Sequence, residues 1–255
     1  MKNNRKFLSP GALTAPIPPA MVTVGDFENA NVLTIAWTGI LATQPPKTYI
    51  SVRPSRHSYG MLKENGEFVI NLPSADLARE VDFVGIYTGA KMDKFEKCSL
   101  TKKPSEKVAP PTSAECPVAL ECRVTDVIPM GSHDVFIADI VGVSCHESII
   151  DEKGRMCFDK ANLLAYAHGE YYTLGDVVGR FGFSTDKKKD EKPKEAKKNS
   201  SADKKSISAT EKKASSTETN KKPFYESAPK SKSKKRKPSD KNKGAPHGRK
   251  SGGKK

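Results

Sequence analysis

The chain has no GxGxxG turn, no P-loop and no CxxC pair. Without the first two, a nucleotide-type cofactor is not held in the manner of a Rossmann or P-loop fold. The five cysteines (Cys98, Cys116, Cys122, Cys145 and Cys157) are an odd number at no redox or zinc spacing, which points to reduced thiols. Cys145 and His146 are neighbours, but adjacent strand residues point to opposite faces, so no metal site is expected there. No apolar run reaches signal-peptide or membrane-spanning length, and the Lys/Asn-rich N-terminus lacks a hydrophobic region. These absences predict a cytoplasmic protein without membrane contact. No internal repeat is visible, and the chain has a single tryptophan, Trp37.

What is present is unevenly distributed. The 255 residues carry a formal charge of +14. Residues 185–255 hold 25 Lys/Arg against 9 Asp/Glu, a net +16, whereas residues 1–184 hold 19 against 21. The C-terminal segment has two aromatic residues, Phe224 and Tyr225, and is otherwise dominated by Lys, Ser, Thr, Pro and Asn. Such a segment buries too little surface to offset its ordering entropy, so a disordered Lys-rich tail is predicted. Its charge favours salt-dependent, non-specific contact with nucleic acid. The run KSKKRKP at 232–238 has the composition of a nuclear import signal if the host is eukaryotic. The nearly neutral body, 1–184, is long enough for one sizeable core.

Within the body, KFLSPGALTAPIPPA reads as a Pro/Gly-rich arm. AMVTVGD, NVLTIAW, TYISVRP and EFVINLP read as strands, being rich in β-branched and aromatic residues and bounded by turn residues. Ser55 is placed to cap a short helix through Lys63 that Gly66 ends. Ser74 is placed to cap a second, from Asp76 to about Tyr87, with Leu77, Val81 and Val84 at helical spacing. The stretch from Lys91 to Cys116 reads as loop with one turn of helix. VALECRVTDVIPMG and HDVFIADIVGVSC form a long hairpin around Gly131, and the segment from Cys157 to Ser184 reads as mixed. Many strands with a few short helices predict a mainly β, mostly antiparallel barrel.

One cluster carries candidate chemistry. Along NVLTIAW, Asn31, Leu33, Ile35 and Trp37 share a face, so Asn31 and Trp37 can line one cavity. Thr43 precedes the turn Gln44-Pro45-Pro46. Arg53, Arg56, His57 and Ser58 gather cations and donors at a predicted helix start, where exposed backbone N–H groups favour anions. Residue by residue, a packed tryptophan, a solvated helix start, a surface Lys94 and a turn His133 are equally ordinary readings. Tyr166, Tyr171 and Tyr172 suit either packing or a cavity wall.

The order of these residues resembles the flavin reductase-like family. That family's N-x-x-T-x-x-W, hydroxyl before x-P-P, strand ending in Arg, and downstream Ser/Thr are matched by Asn31, Thr34, Trp37, Thr43, Arg53 and Ser58. Phe68, Asn71 and Pro73 match F-x-x-N-x-P. TGAKMDKF places Lys94, and GSHDVFIADI places His133, at positions that contact flavin in the family. ECPVALECRV and the closing AYAHGEYYTLGDVVGRFGFS are similar to family segments too. The resemblance covers residues 8–184 and implies an FMN-binding split β-barrel, a homodimer, and FMN held by Asn31, Thr34, Trp37, Thr43, Arg53, Ser58, Lys94 and His133. It implies hydride transfer from NAD(P)H to flavin, or electron relay through bound FMN to a partner protein. No side chain is assigned a catalytic role, because the flavin performs the redox chemistry. A nucleic-acid-associated protein with a non-catalytic barrel is the competing reading. Two residues depart from the pattern: Thr38 and Asp139 each stand where the family tends to have glycine.

Overall fold

The computed structural model describes residues 4–185. Seven strands form its main sheet: β1 (Ala20–Val24), β2 (Asn31–Ile35), β3 (Thr38–Thr43), β4 (Pro46–Val52), β5 (Glu67–Leu72), β8 (Val118–Pro129) and β9 (Asp134–Cys145). Two short ladders stand outside it. One pairs β6 (Lys102–Lys103) with β7 (Thr112–Ser113), and the other pairs β10 (Leu164–Ala167) with β11 (Glu170–Thr173). The main sheet runs β2-β1-β5-β8-β9-β4-β3, every neighbouring pair antiparallel. Its two edge strands, β2 and β3, are consecutive in the chain, with only Ala36 and Trp37 between them. Extended backbone spans roughly 3.5 Å per residue, so the edges must meet and the sheet must curl on itself. The Ser51 N–H donates to the Trp37 carbonyl at 2.9 Å, fastening this junction to β4.

The alternation of β1 explains the two cores. Ala20, Val22 and Val24 enter the barrel with Leu33, Ile35, Ile50, Phe68 and Phe136. Met21 faces outward into a second cluster with Val32, Val81, Val84 and Phe95. That second cluster is the floor for helix α2 (Ala78–Ile86) and the short α3 (Lys94–Lys97). Both faces of β1 are therefore covered, and all five of its residues are buried. Buried Asn71 ties three strands together: its amide donates to the Met21 carbonyl at 2.9 Å and accepts from the Ser113 N–H at 2.9 Å.

Helix α1 (His57–Asn65) ends at Gly66, whose left-handed backbone (φ 64°) returns its N–H to the Leu62 carbonyl. The start differs from the sequence reading. Arg56, not Ser55, is the N-cap residue, and no side chain caps the helix. The chain first turns through Pro54-Ser55, with the Arg56 N–H bonded to the Arg53 carbonyl at 3.0 Å. Ser74 likewise precedes a 3-10 turn at Ala75–Leu77 rather than capping α2 directly. Strand β3 and the β10–β11 hairpin were not anticipated. The β8–β9 hairpin was, and Gly131 at φ 82° turns it. The two departures from the family pattern are both accommodated. The Thr38 hydroxyl donates to the Tyr49 carbonyl at 2.6 Å, and Asp139 pairs with Lys47 on β4. Among the described residues no helix is long and apolar enough to cross a membrane. The predicted tail lies outside the described residues.

Candidate functional site

A cleft opens where β2, the turn after β4, the end of α2 and the start of α3 converge. It has two lobes, of about 210 Å³ and about 330 Å³, which share Leu33, Arg53 and Arg56 in their walls.

The smaller lobe is polar. Asn31, Ser58 and Lys94 line it, and all three are buried. The Asn31 amide donates to the Ser58 hydroxyl at 2.6 Å, joining β2 to the first turn of α1. Lys94 is placed by α3: the Asp93 side chain caps that helix, accepting from Phe95 and Glu96 N–H, while Phe95 anchors it in the outer core. The Lys94 ammonium donates to the Val84 carbonyl at 2.8 Å, and the Arg56 guanidinium donates to the adjacent Gly85 carbonyl at 2.8 Å. Both carbonyls belong to the last turn of α2, the negative end of that helix. Burial pushes the Lys94 pKa down to about 8, the Arg56 charge pushes the same way, and Cys98 partly opposes them. A cation held in the interior next to another cation favours an anionic ligand between them.

The larger lobe is aromatic. Trp37 and His133 stand nearly parallel, centroids 6.4 Å apart and planes 14° from one another. Desolvation, then Arg53 and Arg56, hold the His133 pKa below the usual imidazole value, which favours the neutral ring. The Ser132 hydroxyl lies 2.9 Å from its Nδ1. Tyr166 and Tyr171 of the β10–β11 hairpin form the opposite wall, rings 5.4 Å apart. The Tyr171 hydroxyl reaches Asp82 on α2 at 3.3 Å, and burial with Asp82 pushes its pKa up to about 12.

Of the residues expected from the sequence, Asn31, Ser58 and Lys94 meet in the small lobe, and Thr34, Trp37 and His133 in the large one. Arg53 lines both. The Thr34 hydroxyl is engaged by the Val81 carbonyl, tying β2 to α2. Thr43 lines neither lobe; it pairs with Pro46 at the far end of the β3–β4 hairpin and is exposed. Tyr172 is half-exposed and outside both. Sequence reasoning missed Asp82, Gly85 and Ile86 of α2 and the Thr88-Gly89 turn. Thr88 and Gly89 stood in the motif that located Lys94, so that signal was within reach. His146, next to Cys145, is bonded through Nε2 to the Ala114 carbonyl at 2.8 Å.

Residues 13–175 match the model of the flavin reductase like domain. The chain belongs to the flavin reductase-like domain family. The flavoredoxin of Desulfovibrio vulgaris (Miyazaki F) is similar at 31% identity and a TM-score of 0.68, over 72% of this chain and 100% of that one. An FMN-binding protein from Thermus thermophilus, solved with bound 1-cyclohex-2-enone, is 26% identical with a TM-score of 0.59, over 71% and 99% of the two chains. An NADPH-flavin oxidoreductase of Streptomyces viridifaciens is 28% identical over 133 residues, 51% of this chain and 68% of that protein. The fold is the split barrel of this flavin reductase-like family, mainly β with a few short helices.

Proposed function

We propose that the cleft holds FMN and that the chain is an oxidoreductase, passing a hydride from NAD(P)H to flavin or relaying electrons through bound FMN. The supporting observation is the pairing of a lobe set with Lys94, Arg56 and Arg53 with a contiguous lobe walled by Trp37, His133 and two tyrosines. The donor set suits the cofactor. FMN has an anionic phosphate, a hydrogen-bonding ring edge and a broad apolar ring, and needs cations, donors and aromatic walls respectively.

Asn31, Trp37, Arg53, Ser58, Lys94 and His133 are the residues proposed to hold it. Thr34, in the wall of the larger lobe, also fixes β2 against α2, and Thr43 lines neither lobe. When bound, FMN would supply the hydride and electron chemistry that no side chain here provides. Lys94 and Arg56 supply charge at fixed positions, because each is anchored to an α2 carbonyl. Ser58 is held in place by Asn31, and neutral His133 offers a hydrogen bond beside Trp37. The tyrosine hairpin limits the access of water.

The likeness to flavoredoxin favours a second version, in which bound FMN is reduced only by a partner protein. A homodimer is part of the proposal. Exposed Ile40 and Leu41 on β3, Ile128 and Met130 at the β8–β9 turn, and Val177, Val178 and Phe181 after β11 are apolar surface suited to a second copy. A cytoplasmic location and tail-mediated contact with nucleic acid remain proposals from the sequence.

The deciding experiment is a visible spectrum of the purified protein before and after FMN, then after anaerobic NADH or NADPH. The expected results are a bound-flavin spectrum and its bleaching by one nucleotide. Bound flavin that bleaches only with an added electron-transfer protein selects the second version. A protein that stays colourless with no spectral change on FMN addition overturns both.

A further inference from the structure

A third cavity, of about 260 Å³, adjoins the larger lobe of the cleft and shares Ala36, Trp37 and Tyr166 with it. Its chemistry is the opposite of the cleft's. The cleft presents Arg53, Arg56 and Lys94, whereas among the described residues no carboxylate, ammonium or guanidinium lines this cavity. Three aromatic rings, Trp37, Tyr49 and Tyr166, supply its surface, with the N-terminal arm closing it through Ala12, Thr14 and Ile17. The arm is fastened to β10 by paired backbone hydrogen bonds between Ile17 and Tyr166, at 3.0 and 2.9 Å.

The position of Tyr49 is built into the sheet. It stands opposite Gly39 on β3, and a Cβ added at Gly39 would sit 3.3 Å from the Tyr49 ring and 3.6 Å from its hydroxyl. The glycine thus leaves room for the tyrosine to lie across its backbone. Among the described residues the Tyr49 and Tyr166 hydroxyls and the His168 ring make no hydrogen bond to the protein, so all three are free for a ligand or water.

We infer that this cavity is a second binding site, for a small uncharged ring compound carrying a carbonyl oxygen, such as an aromatic ketone, aldehyde or quinone. Size supports one ring: about 150 Å³ is enough to hold benzene, and this cavity adds room for a substituent. Aromatic walls favour a planar ring by stacking. Free hydroxyl and imidazole donors suit a carbonyl oxygen, and the absence of cations disfavours carboxylates and phosphates, including a nicotinamide dinucleotide. Trp37 and Tyr166 form one wall for both sites, placing this ligand beside the cofactor cleft. Binding of the ring compound does not depend on flavin. Its role as the small-molecule partner in electron exchange rests on the function proposed above.

The single tryptophan makes the test direct, because the full-length protein has one indole N–H resonance. Acetophenone, titrated with and without FMN, is expected to shift that Trp37 resonance saturably. Benzoate, its charged counterpart, should shift it at least ten-fold less at equal concentration. Ala12 lines this cavity and neither lobe of the cleft, so Ala12→Phe, which adds a ring there, should weaken acetophenone binding at least ten-fold while FMN titrates as in the parent. The dispersion of the amide spectrum reports the fold of each variant independently of either ligand. No saturable shift, equal response to benzoate, or unchanged affinity in a folded Ala12→Phe variant overturns the inference. A normal FMN titration alongside such a failure leaves the cofactor proposal standing. Acetophenone binding without FMN binding removes the cofactor proposal alone.

Discussion

A Cβ placed on Gly89 would lie 2.2 Å from the side-chain oxygen of Asn31. The turn after α2 thus presses directly on the amide that holds Ser58, and only a residue without a side chain permits the approach. Gly89→Ala is therefore expected to displace Asn31 and break its bond to Ser58. One lost buried hydrogen bond corresponds to roughly ten-fold in affinity. FMN titration of the folded variant checks this; unchanged affinity would show that the Asn31–Ser58 pair is not part of the cofactor site.

Lys94 gives the protein a pH signature. Its folded pKa is about 8 against a reference of 10.5. Between those values the unfolded chain holds more protons than the folded one, so stability rises with pH. The contribution is complete above 10.5 and lost as pH falls through about 8, and its size is on the order of 3 kcal/mol. Denaturant melts of the flavin-free protein from pH 7 to 10.5 should show the rise, and Lys94→Met should lack it. FMN affinity should move the other way in the parent, weakening above pH 8 as the ammonium is lost. Parallel pH curves for parent and variant would count against a depressed Lys94 pKa.

Arg56 acts on the same titration. Its guanidinium lowers the Lys94 pKa and bonds the Gly85 carbonyl. Arg56→Gln should move the lower limit of the stability rise to higher pH, because the buried ammonium loses a repelling neighbour. A rise that still begins at about 8 would mean that Arg56 does not help to set the Lys94 value.

The strongly basic C-terminal segment should be dispensable for the cleft. A chain ending at Thr185 is expected to bind FMN within two-fold of the full chain (roughly the scatter left when distant parts act independently). Any affinity for RNA, measured across a salt series, should disappear with the segment, because +16 of the charge resides there. Retained RNA binding would place that contact on the barrel.

The parts of the fold legible in the sequence are those with β-branched apolar runs or distinctive turns. β1, β2, β4 and β5 announce themselves by β-branched runs, and β8–β9 by the glycine turn between two long strands. Strand β3 escaped notice because TGILAT is exposed or half-buried along its length, so no alternation marks it. In β10–β11, Tyr166 and Tyr171 line the cleft while Tyr172 is exposed, so no simple alternation marks the pairing. In the site, Asn31, Ser58 and Lys94 were legible through their order and spacing. The anchors of the cations were not, because the Val84 and Gly85 carbonyls are backbone groups with no side-chain signature. Ser55 misled for a related reason: a serine before a helix is an N-cap only if the backbone enters the helix there, and Pro54 delays that entry.

The junction of β2 and β3 has a further consequence. Two residues, Ala36 and Trp37, form the seam at which the curled sheet meets itself, and both also stand in the walls of the cleft and of the third cavity. Occupancy of either cavity and the opening of that seam are consequently linked equilibria. The Ser51 amide, bonded to the Trp37 carbonyl, is the natural gauge of the linkage. Its hydrogen exchange should slow when either cavity is filled, so that a single backbone proton reports on the seam from both sites.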